Sequence, residues 1–308
     1  MSDLVLTEGA MAAPRRFPTA SAVLELLKPI TWFPPMWAFM CGVVSSGEPL
    51  RARWPLALAG LVLAGPAICA TSQAVNDWFD RDVDAINEPG RPIPSGRIPG
   101  SWGLRIAIVW TILSLGLAAT VGPWVVCAAV VGMALAWAYS APPFRLKQSG
   151  WWGPVCVALC YEGLTWFTGA AAMRQALPDG RVIALAALYS FGAIGIMILN
   201  DFKAIEGDRR MGIRSLPVDL GVENAAWLAC ILMAAPQLDV VALLLVWGQP
   251  LHAAAVGVSM IAQCLLMFRL LRDPRKLAPW YNATGISLYV LGMLVSGFAV
   301  GAHAGGAG

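Results

Sequence analysis

A succession of apolar runs, each about as long as a bilayer is thick, limits this chain's folding more than any other feature. A spanning helix needs ~20 mostly apolar residues at ~1.5 Å rise each. By that measure nine spans are expected, near residues 30–46, 54–75, 103–121, 124–140, 151–172, 182–199, 224–247, 250–271 and 281–301. Pro236, Gln237 and Asp239 interrupt the seventh. Of the 308 residues, 58% are hydrophobic and only 13% are charged. A water-soluble body of that size cannot hide so much apolar surface. The expected fold is all-α, a polytopic membrane protein with about nine transmembrane helices arranged around a central cavity. It divides into an N-terminal tail (1–25), one nine-helix domain (26–302) and a C-terminal tail (303–308).

Charge placement sets the expected orientation. With the N-terminus in the cytoplasm, the inside segments hold 17 of the 21 Lys and Arg residues. The outside segments hold only Arg51, Arg53, Arg174 and Arg181. That asymmetry is what the positive-inside rule demands. The net charge of +3 is thus a topology signal, and nucleic acid is not an expected partner. Residues 1–20 contain acids and prolines without a continuous apolar core, so no signal peptide is expected. All seven cysteines fall inside expected spans and form no CxxC pair, which reads as apolar packing.

The inside connections 76–102 and 200–223 carry most of the chemistry-bearing residues, and they resemble each other. Each begins Asn-Asp directly after an apolar span and has an Asp eight residues after the Asn: Asn76 to Asp84, and Asn200 to Asp208. If the second span continues as a helix, Asn76, Asp80 and Asp84 fall within ~80° of one another, with Asp77 close to the same face. Oxygen donors converging in this way repel unless a cation lies between them, and Mg²⁺ bridges one or two carboxylates to substrate phosphates while keeping waters. The competing reading is a solvated acidic helix end neutralised by arginines. In the second motif Asp201 and Asp208 share a helical face, Ala204 stands where Asp80 stands in the first, and Glu206 points elsewhere. Lys203 offers a point charge to a phosphate.

Further candidates surround the two motifs. Prolines and glycines at 89–96 end the helix in a stiff loop, which can carry Arg91 and Arg97 back over the acids. A third inside segment, Tyr139–Lys147, brings Arg145 and Lys147, for which plain topology anchoring is the alternative. Arg81 and Tyr139 complete the set. Glu162 is an acid in mid-span, costly to insert and so expected to face the bundle interior. There it either lines an acceptor pocket or is protonated and hydrogen-bonded. Trp78, Phe79, Trp151 and Trp152 are either a wall for a flat acceptor or an interfacial belt. The two histidines, His252 and His303, are too few and too peripheral for tetrapyrrole storage through imidazole ligands. No nucleotide-binding glycine motif occurs.

These residues resemble the UbiA superfamily of intramembrane prenyltransferases, which carries NDxxDxxxD after its second helix and a second acidic motif after its sixth. The resemblance covers the chain after about residue 20. The stretches NDWFDRDVDAINEPGRPIPSG (76–96), YSAPPFRLK (139–147) and NDFKAIEGDRRMGIRSLPV (200–218) are similar to its chlorophyll and bacteriochlorophyll synthase branch. The absence of an acid at Ala204 departs from the wider superfamily but suits this branch, and the lack of a transit peptide favours the bacterial pigment.

The resemblance implies Mg²⁺-dependent transfer of a C20 prenyl group, geranylgeranyl or phytyl, from its diphosphate to the ring D propionate of bacteriochlorophyllide a. In that reading Asn76, Asp77, Asp80, Asp84, Asp201 and Asp208 form the catalytic set, all but Asp77 as metal ligands. Arg81, Arg91, Arg145, Lys147 and Lys203 bind diphosphate, while Glu206, Glu162 and Tyr139 serve a second site or the acceptor. It implies a bacterial inner (intracytoplasmic) membrane with the site cytoplasmic, and association with pigment-biosynthesis or antenna-assembly proteins. Alternatives are chlorophyllide a as acceptor, an aromatic or haem acceptor, a non-catalytic pigment carrier, and a transporter.

Overall fold

The computed structural model describes residues 17–305. Among these residues there is no strand, only a lone bridge between Ser149 and Arg214. The helices are α1 (Ala20–Leu26), α2 (Phe33–Ser45), α3 (Leu50–Asn87), α4 (Trp102–Val121), α5 (Pro123–Ser140) and α6 (Trp152–Arg174). They continue with α7 (Gly180–Asn200), α8 (Ile205–Met211), α9 (Leu216–Leu220), α10 (Val222–Val246), α11 (Pro250–Leu270) and α12 (Pro274–Gly305).

Eight of these helices are long and apolar enough to cross a bilayer, and the chain is a multi-pass membrane protein. The first expected span is the exception. It is α2, whose 13 residues reach only about 20 Å at helical rise. The interrupted seventh span is one helix, α10, with Pro236 inside it. The expected N-terminal tail is partly structured: Thr19 caps α1 with a 3.3 Å bond from the Ala22 amide. Ala22 and Leu26 are fully buried with α3 residues Ala70, Ala74 and Val75, so the packed body begins near residue 20. At the other end α12 runs through residue 305. Residues 1–16 and 306–308 of the two expected tails lie outside the described residues.

Local sequence explains the helix ends and irregularities. Asp179 caps α7, accepting from the Arg181 and Val182 amides at 3.0 and 3.1 Å. Proline opens α5, α11 and α12, where a missing amide hydrogen costs nothing. Within α3, Leu63–Cys69 widens to a π-helix around Pro66, because proline removes a ladder hydrogen bond and crowds the preceding turn.

Consecutive helices pack side by side, and α2 meets both α6 and α12. At Gly42 and Gly169 the α2 and α6 backbones touch, since a Cβ at either glycine would overlap the other helix's carbonyl. Small residues permit such approach where no water drives helices together. In the largest buried cluster Trp166 stacks on Tyr189 at 5.6 Å, and Tyr289 meets Tyr189 edge-on at 5.3 Å. The Tyr289 hydroxyl donates to the Tyr189 carbonyl at 2.6 Å, which satisfies a polar tip in an apolar setting.

Candidate active site

The helix expected beyond the second span is present, because α3 is regular from Ala70 to Asn87 and carries the whole first motif. Asn76 and Asp80 meet one turn apart, the Asn76 amide donating to Asp80 Oδ2 at 3.0 Å and to Ser140 Oγ at 3.2 Å. Each of three acids has its own cation. Lys147 pairs with Asp80, Lys28 Nζ lies 2.6 Å from Asp77 Oδ1, and Arg91 lies 2.8 Å from Asp84 Oδ2. Arg91 also reaches Asp77 at 3.4 Å and Glu88 at 2.7 Å. The stiff loop thus carries Arg91 back over the acids as its composition predicts, whereas Arg97 turns to Glu25 at 2.8 Å. Asp77 sits deepest, 2% exposed, and its Oδ2 is buried without a hydrogen-bond partner among the described residues.

The second motif departs from an ideal helix. α7 stops at Asn200, Asp201–Lys203 forms a 3₁₀ turn, and Asp208 belongs to the separate helix α8. The shared face expected for Asp201 and Asp208 is therefore replaced by a bend that still leaves them within electrostatic reach of each other. Asn200 is fixed by Asn282 of α12, whose amide donates to Asn200 Oδ1 at 2.8 Å. Burial raises the Asp208 carboxyl above its ordinary value.

Tyr139 joins the two motifs, lying within electrostatic reach of Asp80 from the first and of Asp201 and Asp208 from the second. Lys203 acts on Asp201 and also on Glu88 across the gap. The segment after α5 is tied to the second motif by the Ser149–Arg214 bridge, and Gly150 is pressed so close to the Arg214 carbonyl that a Cβ would overlap it. In that segment Arg145 takes a left-handed backbone (φ 43°) and its buried Nε is without a partner among the described residues. Burial holds Lys147 below the ordinary lysine value, against the pull of Asp80.

Other candidates stand apart. The Arg81 guanidinium lies 4.4 Å over the Trp78 ring and donates to the Trp78 carbonyl at 2.8 Å, so its contacts are with its own helix surface. Glu206 is exposed and pairs with Arg275 at 2.9 Å. Glu162 lies in a π-helical turn of α6, Leu159–Gly163, buried near Cys41 and Tyr289. Among the described residues its Oε2 finds no hydrogen-bond partner, and neither motif meets it. Phe79 packs edge-on against Trp137 at 6.3 Å, while Trp151 and Trp152 are exposed.

Sequence reasoning missed three residues. Lys28 was legible only as one cation at the foot of the first span, Ser140 as part of the Tyr139–Lys147 segment, and Asn282 gave no signal at all.

The donor set suits Mg²⁺ in kind, being carboxylate and amide oxygens, with an unpartnered buried oxygen on Asp77. Among the described residues no three acids, histidines or cysteines are gathered closely enough to hold a metal ion by themselves. That arrangement fits an ion that takes one or two protein ligands and completes its shell with phosphate and water. Between α6 and α7 an apolar groove of about 370 Å³ is lined by Val155, Leu159, Phe167, Ile183, Phe191 and Ile194, among others.

The sequence matches the UbiA prenyltransferase family over residues 31–302. It is 58% identical to the bacteriochlorophyll synthase 33 kDa chain of Cereibacter sphaeroides, covering 93% of this chain and 95% of that one. It is 39% identical to the chloroplastic chlorophyll synthase of Oryza sativa, covering 90% of this chain and 76% of the other. In fold it superposes with TM-score 0.70 on a UbiA homolog from Archaeoglobus fulgidus bound to GPP and Mg²⁺, at 22% identity over 87% of this chain and 99% of that one.

Proposed function

Because this chain belongs to the UbiA prenyltransferase family, we propose that it esterifies the ring D propionate of bacteriochlorophyllide a with a geranylgeranyl or phytyl group taken from the prenyl diphosphate. The observation that carries the chemistry is the segment after α5, which supplies Lys147 to Asp80 of the first motif and is bridged from Ser149 to Arg214 beside the second. The acceptor is argued from the 58% identity to a bacteriochlorophyll synthase chain, against 39% for a chlorophyll synthase.

The reaction breaks the bond between the allylic carbon and the bridging oxygen, whose electron pair leaves with diphosphate. A propionate oxygen then bonds to that carbon. Lys28, Arg91 and Lys147, held beside Asp77, Asp84 and Asp80, are the cations that turn to diphosphate oxygens, with Arg145 and Lys203 at the rim. Arg81 and Glu206 fall outside this set, given their contacts with Trp78 and Arg275. Mg²⁺ ions that each take one or two ligands from Asn76, Asp80, Asp84, Asp201 and Asp208 would supply positive charge to the leaving group. The propionate has an ordinary pKa of about 4 and arrives ionised, so no side chain has to remove a proton. Apolar helix surfaces, such as the groove between α6 and α7, shield the prenyl chain and the developing allylic charge from water. The cation distribution supports an orientation with the N-terminus and both motifs on the cytoplasmic side of the bacterial inner, intracytoplasmic membrane.

The test is esterification of bacteriochlorophyllide a by geranylgeranyl diphosphate in membranes containing this chain, with and without Mg²⁺. Mg²⁺-dependent ester, formed faster than with chlorophyllide a, is expected. Ester with chlorophyllide a alone would reassign the acceptor, and no ester with either would overturn the reading.

A further inference from the structure

Glu162 is a buried acid that the chemistry at the two motifs does not use. It lies in the π-helical turn Leu159–Gly163 of α6, a distortion frequent at functional sites. Thr165 Oγ1 secures the turn by donating to the Tyr161 and Glu162 carbonyls. Two consecutive side chains then enter the bundle in different directions. Tyr161 reaches α3, its hydroxyl accepting from the Gln73 amide at 3.2 Å and lying 3.4 Å from Cys69 Sγ. Glu162 turns toward Cys41 of α2 and Tyr289 of α12.

Both motifs fix the depth of this turn. Gln73 precedes Asp80 by seven residues on α3, and Tyr289 follows Asn282 by seven on α12. Asn282 in turn holds Asn200 of the second motif. Seven residues span about 10 Å and return to within ~20° of the same helical face. Tyr161 and Glu162 thus stand two turns below Asp80 and Asn282, against the faces of α3 and α12 that meet the motifs.

The Glu162 carboxyl is left without a partner. No cation or hydrogen bond engages it among the described residues, and its Oε2 is enclosed. The residue still keeps 7% of its surface open, while its neighbours Cys41 and Tyr289 are fully buried. The opening is therefore to the inside of the bundle. The Tyr289 hydroxyl is already committed to the Tyr189 carbonyl. An unpaired charge in such a place is costly, whereas the carboxylic acid has one O–H to donate and needs only an acceptor.

The macrocycle of the proposed reaction supplies one, and the inference rests on that reading. Its ring D propionate has to lie at the diphosphate, beside the motifs. The neighbouring ring A carries an acetyl group in bacteriochlorophyllide a and a vinyl group in chlorophyllide a. The reach from propionate to acetyl across the macrocycle is of the same order as the two turns from Asp80 down to Glu162. We propose that the Glu162 O–H donates to the acetyl oxygen of ring A and so selects bacteriochlorophyllide a over chlorophyllide a. A vinyl group offers no such acceptor and leaves the buried acid unpaired, which is how a polar site rejects an analogue.

The test compares chlorophyllide a with its derivative in which acetyl replaces the ring A vinyl group, so that nothing else differs. In membranes containing the parent chain, with geranylgeranyl diphosphate and Mg²⁺, the acetyl acceptor should be favoured by at least ~10-fold in kcat/KM. E162L places an apolar side chain in apolar surroundings and should lose that preference, chiefly through KM for the acetyl acceptor. E162Q keeps a donor and should retain most of it. Binding is read separately, without prenyl diphosphate, from the resonance Raman stretch of the acetyl carbonyl. Hydrogen bonding should lower that stretch with the parent and E162Q, and E162L should return it to the unbonded value. A preference that survives in E162L, or an acetyl stretch indifferent to the substitution, would overturn the proposal and leave the prenyl transfer standing. No ester from either acceptor with the parent chain would overturn the reaction itself.

Discussion

Replacing Asp80 by asparagine separates a structural ion pair from a diphosphate site. Asp80 bonds both Lys147 and the Asn76 amide, and the Lys147 and Asp80 side chains are 14% and 23% exposed. The pair is intermediate between an exposed pair, worth about 0–1 kcal/mol, and a buried one, where loss of one partner costs about 3–5 kcal/mol. D80N should therefore lower stability by roughly 1–3 kcal/mol. K147M should cost about as much, and the double variant D80N/K147M should recover most of the loss, since no unpaired charge remains.

Turnover should behave differently. Losing one preorganised group that stabilises leaving-group charge costs ~10²–10³ in kcat, about 2.7–4 kcal/mol. D80N should thus lose at least ~100-fold in turnover, and the stable double variant should regain none of it. The assay is initial-rate esterification in membranes, with thermal denaturation followed in detergent on the same preparations. A double variant that recovers activity along with stability would refute the reasoning, because Asp80 would then serve only to neutralise Lys147. So would D80N turnover within threefold of the parent.

Arg91→Gln removes the cation shared by Asp77, Asp84 and Glu88. It should raise KM for the prenyl diphosphate ~10-fold, equivalent to about 1.4 kcal/mol for a lost charge-assisted contact, with KM for the acceptor changing less. D208N should cost ~100-fold or more in turnover, whereas E206Q, on an exposed pair with Arg275, should stay within twofold. A large loss in E206Q would place that carboxylate in the site after all. Gly169→Val forces α2 and α6 apart at Phe39 and should cost about 1–3 kcal/mol by overpacking, measured as lowered thermal stability; an unchanged midpoint would mean that the helices slide freely.

Much of this protein is determined one residue at a time along the chain. Span length follows from backbone rise against bilayer thickness, so helices α3–α7 and α10–α12 are legible from runs of apolar side chains. The first motif was legible for a similar reason, since a helix carried past residue 75 sets Asn76, Asp80 and Asp84 on one face whatever surrounds it. The second motif was only half legible. A helical ruler assigns Asp201 and Asp208 a common face, but the chain bends at Asp201–Lys203, beside the point where Asn282 of α12 holds the Asn200 side chain.

Tertiary structure alone decided which charges meet. Lys28 and Asp77 are 49 positions apart, and Lys147 and Asp80 are 67 apart, distances over which no local pattern carries information. The same holds for candidates that stand apart from the two motifs. Glu206 turns to Arg275 and Glu162 is enclosed near Cys41 and Tyr289, because a side chain's partner depends on which neighbouring helix faces it, whereas Arg81 meets Trp78 three residues before it on its own helix. Asp239 is the clearest instance. In the sequence it is an interruption in a span, and only the packing of α10 shows that it is exposed, with no ion pair or hydrogen bond among the described residues.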